Sequence, residues 1–115
     1  MRFMMLMIPK GYERAPRDFK PDAKAMAEMT KYNDSLREAG ILLSVDGLQP
    51  PVCGARVSSK GGKAAIKQGP FSEVNETVGG FWMIEAKSLQ DAIEWASRCP
   101  ASDTEVIEIR QIAGD

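Results

Sequence analysis

Residues 79–100 read GGFWMIEAKSLQDAIEWASRCP, a strand followed at once by a helix. The glycine pair introduces residues 81–86, where aromatic and aliphatic side chains fall on both faces, as in a strand with neighbours on either side. Phe81 and Trp82 are adjacent and must therefore point to opposite faces. Ser88 and Asp91 have the spacing of a capping pair, and Leu89, Ala92, Ile93, Ala96 and Cys99 recur at helical intervals before Pro100 stops the turn.

Working outward, residues 2–8 form a nearly continuous apolar run, as expected of a buried central strand, ended by Pro9 and Gly11. Residues 10–20 are polar and loop-like. A helix is expected over residues 21–39, with Ala25, Met29, Tyr32, Leu36 and Ala39 on one face and Gly40 as its C-terminal cap. A second strand follows over residues 41–45, broken by Gln49-Pro50-Pro51. Residues 55–59 and 63–67 flank Gly61-Gly62, a pair suited to the positive φ of a tight hairpin turn. Residues 105–112 alternate Val106, Glu108 and Arg110 against Ile107 and Ile109, which makes a last strand with one wet face. Setting the hairpin aside, the order is βαββαβ, the pattern of an α+β ferredoxin-like domain with two helices on one face of an antiparallel sheet. The other face then needs cover, and self-association supplies it, with Phe3, Met5, Met7, Trp82 and Ile84 available for the contact.

Composition narrows the function. A chain of 115 residues has the size of one domain, so residues 1–115 are read as a single unit. Fifteen basic and sixteen acidic side chains give a net charge of −1, without the basic excess that nucleic-acid binding demands. Cys53 and Cys99 are too far apart in sequence to suggest a zinc or redox pair. The apolar start is too short for the core of a signal peptide, and no run reaches membrane-spanning length, so a cytoplasmic protein with no membrane partner is expected. Histidine is absent altogether, which excludes His-dependent triads and His-ligated metals. No metal or cofactor is indicated, and proton chemistry would fall to carboxylates in a desolvated site.

Four segments carry a family likeness: residues 32–51, which include AGILLSVDGLQPP, then QGPFSEVNE over 68–76, the stretch 79–100, and the closing EVIEIRQI. Together they resemble the DGPF-type branch of the YCII-related proteins over nearly the whole chain. The resemblance implies a homodimer in which two ferredoxin-like subunits build an α/β barrel, with a cleft in each subunit. It also implies a regulatory or interaction alternative, since the genes of DGPF-type relatives resemble partners of sigma-factor systems in their genomic setting. Gln68 stands where the signature has aspartate, Asn75 where a lysine is frequent, and the histidine carried by many relatives is missing.

Asp46 follows the second strand, where a carboxylate can face a cleft and act as a base. The bland alternative is an Asp-Gly turn with Gly47. Glu73 and Glu76 follow Phe71 three residues apart and offer an acid-base pair or a ligand contact. Gly69-Pro70-Phe71 shapes a loop that sets the Gln68 amide and the Phe71 ring beside a small planar ligand. The expected function is therefore small-molecule binding. Any catalysis would be metal-free proton transfer of isomerase or lyase type on an activated carbonyl or aromatic acid, with Asp46 or Glu73 as base. The competing expectation is a non-catalytic interaction protein.

Overall fold

The computed structural model describes residues 1–71 and 74–115. Six strands and two α-helices follow the expected order: β1 Arg2–Pro9, α1 Ala23–Glu38, β2 Leu42–Gly47, β3 Ala55–Lys60, β4 Lys63–Gln68, β5 Gly80–Glu85, α2 Leu89–Ser97 and β6 Glu105–Gln111. Short 3-10 turns at Tyr12–Arg14 and Pro51–Cys53 shape the connections. The main sheet has the order β2-β5-β1-β6, antiparallel throughout, and β3 and β4 form a separate two-stranded ribbon. With the ribbon set aside, this is the ferredoxin-like arrangement, an open sheet with β2 and β6 as its edges rather than a closed barrel.

Period-two alternation assigns the faces. Phe3, Met5, Met7, Trp82 and Ile84 pack with Tyr32 and Leu36 of α1 and Ala92 of α2 in the core. The expectation that these strand residues form the uncovered face is therefore wrong. The helices take that set, which continues on β6 into Ile107 and Ile109, whereas the opposite set continues into Val106, Glu108 and Arg110. Met4, Leu6, Ile8, Phe81 and Met83 line the opposite face and are half-buried. Val106, Glu108 and Arg110 of β6 continue it as its wet border, as the alternation requires.

Local chemistry explains the helix ends. In α1 the Asp22 side chain accepts from Ala25 N at 3.2 Å, so the helix starts at Ala23 and Pro21 lies just outside it. Gly40 takes φ +73°, and the Ile41 N–H closes back on Leu36 O at 3.2 Å. Tyr32 and Leu36 are buried and Met29 partly so, but Ala25 and Ala39 are exposed, which narrows the expected stripe. In α2 Ser88 Oγ accepts from Asp91 N at 3.1 Å while the Asp91 carboxylate accepts from Lys87 N at 2.9 Å. Ala92, Trp95, Ala96 and Cys99 face the core, whereas Leu89 and Ile93 are exposed. Gly61 and Gly62 hold φ +58° and +81° in the two-residue turn between Lys60 and Lys63.

Asp46 and Gly47 are not a turn, because β2 runs on through them, paired with Phe81 and Gly80. Position 69 requires glycine for space rather than for a positive φ. A Cβ there would sit 1.7 Å from Pro51 O, so the two chain segments touch only because the side chain is missing.

Candidate functional site

At one end of the main sheet β1 and β2 finish where β5 and β6 begin, and the chain after β1 folds back over this end. Tyr12 and Phe19 meet edge to face with ring centroids 5.5 Å apart. The Tyr12 hydroxyl donates to Leu48 O. Arg17 reaches across to the 3-10 turn after β2, donating to Val52 O at 3.2 Å and lying 3.9 Å from Cys53 Sγ. These contacts roof a hollow of about 420 Å³ lined by Met7, Tyr12, Arg17, Phe19, Leu48 and Glu105, among others. The volume falls within the range of small-molecule sites, which are mostly apolar with a few placed polar groups.

The hollow continues inward. Met7, Gly47, Gly79 and Glu105 also line a second space of about 210 Å³ that reaches Asn33, Asp46 and Trp82. Gly47 and Gly79 line both spaces and Gly80 the inner one, and at Gly79 and Gly80 no side chain fits without a shift. A Cβ on Gly79 would meet Pro9 Cγ at 2.9 Å, and one on Gly80 would meet Asp46 O at 3.1 Å. Trp82 Nε1 donates to Asn33 Oδ1 at 2.7 Å, which fixes the amide and turns its NH₂ toward other acceptors. The Glu105 carboxylate accepts from Ser102 N through Oε1 at 2.8 Å, so Oε2 remains available as an acceptor.

The electrostatics of this end are mixed. Arg17 forms no ion pair among the described residues. Burial, and then the neighbouring Cys53, push the Tyr12 phenol up from its ordinary value, so it stays a neutral donor. Cys99 lies deeper, with its Sγ 3.9 Å from Met29 Sδ. Burial and then Glu105 push its thiol up to about 12, which makes it an unreactive packing residue. Among the described residues no group of three or more His, Cys, Asp or Glu is arranged to hold a metal ion.

The residues singled out from sequence are dispersed. Asp46 is exposed near the end of β2, its side chain on Phe81's face of the sheet, and it borders the inner space. Phe71 and Glu76 share a different hollow, of about 340 Å³, with Leu48, Pro50 and Arg56. Phe71 is buried there, outside the main core, with the Arg56 guanidinium 4.7 Å above its ring. Gln68 ends β4, exposed and opposite Ala55, and is absent from the lining of that hollow. Glu73 lies outside the described residues. Sequence reading missed Tyr12, Arg17, Asn33 and Glu105. The first two sit in a polar loop with no periodicity, and nothing local announces that it folds back over the sheet end. Glu105 opens β6 on the inward-facing parity of Ile107 and Ile109, and that parity was the one available clue.

Comparison with known proteins gives the chain's relationships. The model of the YCII-related domain matches residues 1–114. An uncharacterised protein of Rhizobium meliloti (strain 1021) is 31% identical over 75 residues, which cover 65% of this chain and 60% of that protein. The chain thus matches somewhat less than two thirds of the length of that relative.

Proposed function

From the premise that the chain belongs to the YCII-related domain family, we propose that it is a small-molecule-binding protein whose ligand is a compact organic acid. The observation that carries this reading is Arg17, a cation without an acidic partner among the described residues, at the edge of a largely apolar hollow of about 420 Å³. A guanidinium offers a carboxylate two parallel donors, and the flanking Phe19, Met7 and Leu48 suit an apolar or aromatic body. Within the family, Gly69-Pro70-Phe71 supports placing the chain in the DGPF-type branch.

If the site is catalytic, the chemistry is metal-free proton transfer next to the activated carbonyl of such an acid. Glu105 is the better-placed base, because it lines both parts of the cleft and keeps one carboxylate oxygen free. Asp46 also borders the inner space, but its side chain lies on Phe81's face of the sheet, so it is the less suited of the two. The Asn33 amide supplies a neutral donor for an oxyanion, while the Tyr12 hydroxyl proton is already given to Leu48 O. The half-buried apolar face of Met4, Leu6, Ile8, Phe81 and Met83 supports a homodimer formed face to face, the arrangement that closes two open sheets into one barrel.

The test is a thermal-shift screen of small carboxylic acids and their amides against the protein and Arg17→Met. The proposal expects stabilisation by a subset of the acids, lost in the variant. Equal stabilisation by acid and amide, or an effect that survives in Arg17→Met, would remove the anion-binding role. Should no small molecule act, the interaction-protein reading gains.

A further inference from the structure

The β3–β4 ribbon is the one part of the described fold that the core does not account for. All twelve of its strand residues except Ala65 are exposed, and they pair only with each other. The radius of gyration is 15.8 Å, against roughly 13 Å expected for a compact chain of this length. The ribbon therefore stands out from the body as an arm.

Its two faces differ. Val57 and Ile66 are directly opposite each other, 69% and 68% exposed, with Ala55, Ser59, Ala64 and Gln68 on the same face. Arg56, Lys60, Lys63 and Lys67 lie on the other face. Residues 55–68 contain four basic side chains and no acidic one, so of the chain's fifteen basic and sixteen acidic residues eleven and sixteen remain elsewhere, a +4 arm on a −5 body. Arg56 is stacked on Phe71 and Lys67 is engaged within its own chain, which leaves Lys60 and Lys63 at the tip as the outward charges.

We propose that this arm clasps a second copy of the chain, with Val57 and Ile66 as apolar anchors and Lys60 and Lys63 set against acidic residues of the other body. Charge complementarity selects a copy of the chain as occupant, since the body of any copy, outside its own arm, carries a net −5 by residue count. A nucleic acid would satisfy the lysines and leave Val57 and Ile66 in water. The inference rests on the homodimer reading and adds a second, separable contact to it.

Sedimentation equilibrium of the intact protein tests the clasp. The variants are Val57→Ser/Ile66→Ser and Lys60→Glu/Lys63→Glu, all at exposed positions, with circular dichroism confirming an unchanged fold. The expected result is a dimer whose Kd rises about tenfold or more in each double variant, and whose salt dependence is weaker in the charge variant. A wild-type dimer untouched by both variants but broken by Leu6→Glu would overturn the clasp and leave the dimer standing. A wild-type protein that stays monomeric would overturn both. Binding of a DNA duplex through Lys60 and Lys63, with self-association unaffected, would overturn the clasp in favour of nucleic acid.

Discussion

Arg17 and Cys99 show how one residue's surroundings decide its role. Arg17 is held by a carbonyl and a sulfur rather than a carboxylate, so its charge is available to an incoming anion. Arg17→Met is expected to weaken binding of a cognate carboxylate by about tenfold or more, and Arg17→Lys to recover part of it, because an ammonium keeps the charge but not the fork. Isothermal titration of the three proteins checks this. Cys99 makes a prediction about alkali. Its folded-state pKa of about 12 exceeds the ordinary 9.0, and burial raises Tyr32 above its ordinary 10.0, so the folded protein holds both protons more tightly than the unfolded chain. The stability these groups contribute is fully present below about pH 9 and declines as pH rises toward the folded values. Urea midpoints measured from about pH 8 to 11 should fall, and Cys99→Ala should move the onset of the fall toward the ordinary tyrosine value.

The secondary elements were the most legible level, because caps and periodicity are local. Ser88 with Asp91, Gly40, and the Gly61-Gly62 turn act as their sequence contexts imply. Ser88→Ala should cost about 1 kcal/mol of stability by leaving a helix N–H uncapped. Gly69→Ala should cost more, roughly 2–4 kcal/mol, because its Cβ would land 1.7 Å from the Pro51 carbonyl oxygen and backbone must move. Chemical denaturation of the two variants gives the comparison, and a Gly69→Ala protein as stable as Ser88→Ala would contradict the close approach. Illegible at this level was which face of each strand the helices would choose. In β1 both parities are apolar, Phe3-Met5-Met7 and Met4-Leu6-Ile8, so alternation separates two sets without ranking them.

At the scale of the whole molecule, the cleft is made by segments distant in sequence: the loop after β1, the turn after β2, the start of β5 and the start of β6. Arg17 bridges 35 residues to Val52, and Trp82 bridges 49 to Asn33. No motif spans such distances, which is why the conspicuous QGPF segment drew attention and the plain loop at residues 10–20 did not. The strand order, by contrast, follows from the βαββαβ pattern, since sequence order and antiparallel pairing leave few alternatives. Light scattering should give about twice the mass of one chain for the wild type and one chain for Leu6→Glu, which sets a charge in the middle of the uncovered face. The central claim, a cleft that receives a small organic acid, is tested most directly by a crystal structure grown with benzoate as the simplest aromatic carboxylate. The account predicts its carboxylate within hydrogen-bonding distance of the Arg17 guanidinium and its ring against Phe19 and Met7. Benzoate bound elsewhere, or a sheet-end cleft filled by side chains, would contradict it.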